Sequence, residues 1–168
     1  DDYSRYVICW ELRSGMTSED VKPSIRKAMR ITGLNKNTAP MLLSDNGSCY
    51  ISNEIKTFFK QLGIKPINGK PCHPQTQGKI ERYHRTMKNV VKLDNYYSPE
   101  ELEYAMAEFV DFYNNHRYHE SLNNLTPAHV FFGKGEKILR ERERIKRKTI
   151  RQRRKDYYHE KHMKITLV

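Results

Sequence analysis

Short apolar runs of strand length alternate with amphipathic helical patterns through the N-terminal part of the chain. The strand-like runs are Tyr6–Leu12, Pro40–Leu43 and Ile64–Ile67. Between them, apolar residues recur at helical spacing from Thr17 to Gly33 and from Ile55 to Leu62, and a glycine closes each helical pattern. The order strand, helix, strand, helix, strand is typical of α/β domains, so it restricts the fold class more than any other feature.

The start of the first helix has two interpretations. Thr17 followed by Asp20 three residues later is a capping pattern, which places the N-terminus there. Pro23 would then lie in the second turn, where it removes a backbone donor. A start nearer Lys22, with Pro23 at the first helical position, is the alternative.

A later helix is expected from about Thr76 to Leu93. One stripe of this helix is apolar and is predicted to face the core; it comprises Ile80, Tyr83, Met87, Val90 and Val91. Ser98-Pro99 begins the next helix, which has a buried stripe, and Thr126-Pro127 begins a short one that Gly133 ends. Beyond Gly133 the apolar residues are too sparse for a core, which predicts a domain over 1–133 and an extension over 134–168.

The extension carries most of the charge. The chain has 31 basic and 20 acidic side chains, a net charge of +11. Residues 134–168 contribute 14 basic and 5 acidic side chains, and residues 1–133 are nearly neutral. A cationic tail on a near-neutral body suits a polyanionic partner, of which nucleic acid is the commonest, and the alternative is solvated charge without a partner.

Composition excludes several other classes. A chain of 168 residues can bury a core of its own, and three scattered cysteines do not suit a disulfide scaffold or a four-ligand zinc module. No apolar run is long enough to span a bilayer, and no leader pattern is present at the N-terminus. We therefore expect a soluble protein of a reducing cytoplasm that has no membrane partner.

Two carboxylates stand out by their positions. Asp45 directly follows the second strand-like run, at a strand end of the kind where α/β folds place functional groups. Glu81 heads a row of helically spaced residues that is otherwise basic, comprising Arg85, Lys88 and Lys92. If the two carboxylates converge, their oxygens suit Mg²⁺ or Mn²⁺, and the basic row suits a phosphate backbone. The alternative for Glu81 is an ion pair with Arg85 on a solvated face.

Four segments, in order, resemble the catalytic core shared by retroviral integrases and insertion-sequence transposases. They are Asp1–Tyr6, Ser44–Ser48, Pro74–Arg82, and Tyr113–Leu122 followed by Thr126–Ala128. The 35 residues between Asp45 and Glu81 match the family spacing. The resemblance is greatest to bacterial insertion-sequence transposases, and the basic tail is not part of the core pattern.

The resemblance implies an RNase H-like α/β fold, a mixed sheet flanked by helices, here with a basic C-terminal helical tail. It implies metal-dependent DNA cleavage and strand transfer, with two Mg²⁺ or Mn²⁺ ions held by two aspartates and a glutamate. Asp45 and Glu81 match two of these ligands. The family's first aspartate would precede Asp1, and neither Asp1 nor Asp2 matches it, so we expect the chain to lack the first strand and most of the second.

The partners implied are transposon ends and target DNA, bound by a homo-oligomer in a bacterial cytoplasm, in association with the nucleoid. The residues expected to contact DNA are Gln75, Gln77, Lys79, Arg85, Lys88, Lys92, Arg151, Arg153 and Arg154. Two other functions stay open, namely a non-catalytic DNA-binding remnant and an RNase H-type nuclease that hydrolyses without joining. His116 and His119 could also ligate a metal, although a phosphate contact or a helix cap is the favoured role for such histidines.

Overall fold

The computed structural model describes residues 1–45, 47–68 and 78–166 of the chain. The elements in chain order are α1 (Ser18–Thr32), β1 (Met41–Ser44), α2 (Ser48–Ile51), α3 (Asn53–Leu62), β2 (Lys65–Asn68), α4 (Gly78–Val91), α5 (Pro99–Asp111), a π-helical turn (Phe112–His116), a 3₁₀ turn (Glu120–Leu122), α6 (Pro127–Phe131) and α7 (Gly135–Thr166). Among the described residues no helix is both long enough and apolar enough to cross a membrane.

The helix ends follow local sequence signals. Thr17 caps α1 in a capping box, in which its hydroxyl accepts from the Asp20 N–H and the Asp20 carboxylate accepts from the Thr17 N–H. Pro23 therefore lies inside α1, and the alternative start nearer Lys22 is wrong. Gly33 and Gly63 end α1 and α3 in the left-handed conformation, as predicted.

The sheet of the described residues is a pair of parallel strands. β1 and β2 run in register from Met41 beside Lys65 to Ser44 beside Asn68, and α2 and α3 form the crossover between them. The mixed sheet expected from the sequence is thus reduced, over the described ranges, to this parallel pair.

The strand predicted over Tyr6–Leu12 is not formed. These residues are half-buried for most of their length, but none is assigned to a strand. A strand is defined by a ladder of backbone hydrogen bonds to a neighbour, and here the Val7 backbone instead pairs with the side-chain amide of Asn114. The apolar pattern correctly indicated packing, but it could not supply the neighbouring strand.

Two hydrophobic clusters form the core. The first joins α1, α3 and the residue before β2 through Met29, Ile55, Phe58, Phe59 and Ile64. Ile55 and Phe59 are almost fully buried, and burial of a side chain of this kind contributes about 1.5–3 kcal/mol. This cluster fixes β1 and thereby the position of Asp45.

The second cluster joins α4 to α5 and to the N-terminal segment. Its buried residues are Val91, Phe109, Val110 and Tyr113, with Val7, Trp10, Tyr83 and Met87 among those packed against them. The predicted apolar stripe of α4 is therefore correct for Tyr83, Met87 and Val91. Ile80 and Val90, the other members of the stripe, are each about half exposed and lie outside this cluster.

Residues 135–166 form one long helix, of which only the beginning packs on the rest of the chain. Gly135 is buried, Ile138 and Leu139 are half-buried, and residues 143–162 are exposed throughout. Arg142 contacts the preceding part of the chain: it donates to the carbonyl oxygens of Asn123 and Asn124 and lies over the Tyr118 ring. The side chains of residues 143–162 are therefore in solvent.

Candidate metal and nucleic-acid site

Asp45 lies directly after the last residue of β1, and its side chain is exposed. Its Oδ1 accepts a hydrogen bond of 3.0 Å from the N–H of Gly47, which turns the chain into α2. A Cβ on Gly47 would lie 2.9 Å from this Oδ1, so the close approach depends on glycine. The turn holds the carboxylate at the carboxyl end of the strand, as the sequence predicts.

Glu81 occupies the first turn of α4, where it is exposed. The ion pair with Arg85, the alternative role of Glu81, is absent from the described part of the chain. Arg85, Lys88 and Lys92 are exposed as well, so the basic row lies in solvent along the face opposite the buried stripe. Glu81 and the row are therefore available to a ligand.

The structure does not assemble a complete metal site. Over residues 1–45, 47–68 and 78–166, no three His, Cys, Asp or Glu side chains lie close enough to share an ion. The roles of Asp45 and Glu81 as metal ligands thus stay predictions. Histidine ligation by His116 and His119 gains no support either, because His116 lies beside Asp111 on the surface whereas His119 is buried.

The N-terminal aspartates have other partners. The Asp1 carboxylate accepts hydrogen bonds from the N–H and the hydroxyl of Ser4, which close a turn. The Asp2 carboxylate forms an ion pair of 2.7 Å with Lys79, two residues before Glu81. This pair ties the N-terminal segment to the beginning of α4, and it occupies a lysine that was predicted to contact DNA.

The remaining predicted DNA contacts fall in two places. Gln75 and Gln77 lie outside the described residues. Arg151, Arg153 and Arg154 are exposed on α7. Arg153 and Arg154 line an open groove of about 450 Å³ together with Ile150, Tyr157 and Tyr158.

Several buried side chains, among them Tyr113, Asn114 and His119, lie together after α5, and sequence reasoning did not find their role. We call them the His119 cluster. The side chain of Asn114 accepts from the Val7 N–H at 2.9 Å and donates to the Val7 carbonyl oxygen at 3.0 Å. Tyr6 stacks on Phe131 with ring centroids 4.4 Å apart. No local signal predicts the contact between Asn114 and Val7, since it joins residues 107 apart in sequence.

His119 itself is a titratable residue of this cluster. It is 9% exposed, its ring meets that of Tyr113 edge to face, and its Nε2 has no hydrogen-bond partner among the described residues. Burial, followed by the positive charges of Arg117 and Arg5, lowers the pKa of His119 to about 4. Burial also raises the pKa of Tyr83 to about 12. The buried side chains of the His119 cluster are therefore uncharged, and the positively charged Arg5 and Arg117 lie near them.

Comparisons with known proteins agree with this fold. Two sequence profiles, both described as the integrase core domain, match residues 1–74 and 62–127. The putative transposase InsD of insertion element IS2E from Escherichia coli is 31% identical over 136 residues, which are 76% of this chain and 60% of that protein. The Gag-Pol polyprotein of bovine immunodeficiency virus is 37% identical over 90 residues, which are 49% of this chain and 6% of the polyprotein. The chain therefore spans less than two thirds of either relative.

Solved structures give the same likeness. The catalytic core domain of bovine immunodeficiency virus integrase has a TM-score of 0.60 at 23% identity, covering 82% of this chain and 84% of that one. The catalytic core domain of HTLV-2 integrase, solved in complex with magnesium, has a TM-score of 0.58 at 20% identity, covering 76% and 77% of the two chains. At these identities the likeness concerns the fold, which is RNase H-like.

Together the two profiles cover residues 1–127 and overlap over residues 62–74. The chain belongs to the integrase core family. Within it, the transposase relatives and the integrase folds make this chain a catalytic-core domain of the DDE transposase and integrase type.

Proposed function

We propose that the chain contributes to metal-dependent cleavage and strand transfer of DNA during transposition. The observation that carries the proposal is the family match over residues 1–127, in which Asp45 falls in one profile and Glu81 in the other. Strand-end placement of Asp45 supports it, because catalytic groups of α/β folds lie at such ends.

The donor chemistry fits a hard divalent cation. Both proposed ligands are exposed carboxylates that form no ion pair within the described ranges, and Mg²⁺ and Mn²⁺ prefer carboxylate oxygens. Two ions in the intact site would activate a water or 3′ hydroxyl and stabilise the leaving oxygen. The third ligand is proposed to be an aspartate on a strand preceding Asp1, as the family resemblance implies; among the described residues no three metal-ligating side chains lie together.

The chain's own residues would position the DNA. Arg85, Lys88 and Lys92 would hold backbone phosphates beside Glu81, since Arg85 and Lys88 are exposed on one face of α4 and Lys92 is exposed directly after it. Gln75 and Gln77 are proposed to meet the strand being cut. Positioning and charge stabilisation of this kind supply most of the catalysis in phosphoryl transfer.

The partners proposed are transposon ends and target DNA, with the protein acting as a homo-oligomer on DNA. A solved intasome of simian T-cell lymphotropic virus is among the structures of similar fold. We propose residues 1–133 as the core domain and residues 134–168 as a DNA-binding extension. The bacterial relatives and the free thiols of Cys9 and Cys49 support a cytoplasmic, nucleoid-associated protein.

One observation favours a second candidate, a non-catalytic DNA-binding domain. The described residues bring no three metal-ligating side chains together, so they cannot by themselves complete a metal site. Under this candidate the basic surfaces bind DNA, and neither carboxylate matters.

The test uses the chain extended at its N-terminus through the genomic reading frame, with a labelled transposon-end duplex and Mg²⁺. Asp45→Asn and Glu81→Gln should each abolish cleavage and leave DNA binding nearly intact, because each removes a ligand charge and spares the basic surface. Asp94→Asn and Glu103→Gln, on exposed acids elsewhere, are the matched controls. Residues 1–168 alone should give no more than trace nicking, because two carboxylates under-coordinate the metal.

The products distinguish the candidates. Joined strands support the proposal, and hydrolysis without joining indicates an RNase H-type nuclease. DNA binding without any cleavage by the extended chain indicates the non-catalytic domain. Cleavage by either site variant at the rate of its control would contradict the assignment of that residue, and rapid turnover by residues 1–168 would refute the need for a preceding aspartate.

A further inference from the structure

Three arginines that the proposed mechanism does not use surround the buried side chain of Tyr113. Arg5 belongs to the N-terminal turn, Arg82 to the first turns of α4, and Arg117 to the segment after the π-helical turn. The Arg117 guanidinium carbon lies 5.7 Å from the centre of the Tyr113 ring. The charges of all three act on Tyr113, and those of Arg5 and Arg117 act on His119 as well. We call these residues the arginine cluster.

The positive charge of the arginine cluster is not compensated. None of its three guanidinium groups forms an ion pair with a carboxylate in the described part of the chain, as is also true of most other arginines there. Arg82 is exposed, and Arg5 and Arg117 are half-buried, so solvent reaches the cluster. Like charges held together without counter-charge repel one another, and the arrangement favours an external anion.

The backbone at Arg5 adds a second, independent observation. Arg5 has a φ of 64°, the left-handed conformation that favours glycine, and its N–H closes the turn by donating to the Asp1 carbonyl oxygen. A residue other than glycine is strained in this backbone conformation, and such strain concentrates at functional sites. The turn would fold more easily with glycine, so the arginine side chain is retained at a conformational cost.

The position of the cluster indicates the kind of anion. Arg82 directly follows Glu81, and the ion pair between Lys79 and Asp2 holds the N-terminal turn against the same end of α4. Guanidinium groups bind phosphate oxygens with two parallel hydrogen bonds, and the Tyr113 ring below Arg117 supplies no competing acceptor charge. The buried His119 stays uncharged at neutral pH, so it adds no further repulsion.

We propose that Arg5, Arg82 and Arg117 form a binding site for backbone phosphates of duplex DNA, beside Glu81. The inference rests on the proposed function for its choice of ligand, because it takes the anion to be the phosphodiester of the DNA substrate. It differs from the basic row Arg85, Lys88 and Lys92 in composition and in position, since the row lies farther along the exposed face of α4.

The test measures binding of residues 1–168 to a labelled duplex of arbitrary sequence at several salt concentrations. Arg82→Gln combined with Arg117→Gln should lower the salt slope by about 1.8, the value expected when two phosphates are no longer neutralised, which corresponds to roughly 60-fold weaker binding at 0.1 M salt. Arg30→Gln combined with Lys60→Gln removes the same charge from exposed positions on α1 and α3, and it should change the slope far less.

A further, single variant distinguishes the loss of a phosphate contact from misfolding of the chain. Arg5→Gly keeps the backbone conformation and removes the side chain, so its melting temperature should equal or exceed that of the parent chain. Its DNA affinity should nevertheless fall about eightfold at 0.1 M salt, the effect of one phosphate contact. A purely structural role for the arginine would leave affinity unchanged.

Equal slopes for the cluster variant and its charge-matched control would overturn the inference, and so would unchanged affinity of Arg5→Gly or failure of the parent chain to bind the duplex. None of these results bears on cleavage by the extended chain, which tests Asp45 and Glu81. Conversely, failure of the cleavage prediction would leave a phosphate site on the cluster intact. The failure of the inference and that of the proposed function are thus distinguishable.

Discussion

Asn114 shows how one side chain can replace part of a strand. Its amide accepts from and donates to the backbone of Val7, the same two hydrogen bonds that a neighbouring strand would make. The residue is 5% exposed, so the pairing takes place away from water, where an unmade bond would be costly. The N-terminal segment is therefore held on the second hydrophobic cluster at one defined register.

His119 makes the stability of the chain depend on pH. Its pKa in the folded chain is about 4, below the ordinary 6.5, because burial and then two arginines disfavour the imidazolium. The unfolded chain therefore binds more protons between these values, and stability is lost as pH falls from 6.5 towards 4. The loss should reach at most roughly 3 kcal/mol. Denaturant unfolding between pH 7.5 and 4.5 measures it.

Two variants identify the residue responsible. His119→Gln cannot titrate and should flatten the pH dependence, whereas His84→Gln, on the exposed face of α4, should keep it. Glu11, whose pKa is lowered to about 2 by hydrogen bonds from Ser24 and Arg13, affects stability only below pH 4.5, outside the main window. A parental pH dependence in His119→Gln would show that another group is responsible.

At the scale of elements, the helix ends provide a matched pair of glycines. Gly33 and Gly63 both adopt a left-handed conformation, with φ of 68° and 73°. A Cβ on Gly33 meets nothing within 4 Å, whereas a Cβ on Gly63 would lie 2.3 Å from the Lys36 carbonyl oxygen. Gly33→Ala should therefore cost about 1 kcal/mol of unfolding free energy from backbone strain alone. Gly63→Ala should cost about 1–3 kcal/mol more than Gly33→Ala, because the backbone at Lys36 must move to make room for the methyl group.

Urea unfolding of both variants measures this difference. Gly133 also has a left-handed φ, of 68°, and open space around it, so Gly133→Ala serves as a second unobstructed case. Equal destabilisation of Gly33→Ala and Gly63→Ala would mean that the loop around Lys36 yields without cost, and it would contradict the packing argument.

Which elements the sequence predicts depends on the range of the interactions that form them. Thr17, Gly33 and Gly63 act within one turn of their own helix, so the ends of α1 and α3 could be found from local signals. The segment Tyr6–Leu12 needed a partner strand, and no local pattern reveals whether one is present. Ile80 lies on the same side of α4 as the buried stripe but is half exposed. Helical periodicity gives the angular position of a residue around the helix, and it does not show whether another element packs against that residue.

At the scale of the whole molecule, the candidate site was predicted in part. The position of Asp45 at the end of a strand could be predicted, because a strand end is a local feature of the sequence. The position of Glu81 at the head of a basic row could be predicted for the same reason, because helical spacing is also a local feature. Their mutual geometry was not predictable, since it depends on how α4 and the segment before it lie against β1. The arginine cluster was missed for the same reason, as it draws Arg5, Arg82 and Arg117 from three distant segments.

The long helix α7 extends the basic surface well beyond the core. Its first two turns belong to the packed body, since Gly135 is buried and Arg142 contacts the carbonyl oxygens of two asparagines. From residue 143 to the end of the chain there are ten basic and three acidic side chains. A cut after Arg142 therefore removes the exposed charge and keeps the contacts that seat the helix.

Such a truncated chain should keep its melting temperature and bind duplex DNA more weakly, with a flatter dependence on salt. Each phosphate that the helix no longer neutralises should lower the log–log slope by about 0.9. Sequence preference should change little, because phosphate contacts position a protein without reading bases. Filter binding of the full chain and of residues 1–142 over a series of salt concentrations measures both effects. An unchanged slope would show that the exposed part of α7 is solvated charge, which would leave the core as the whole of the DNA-binding surface.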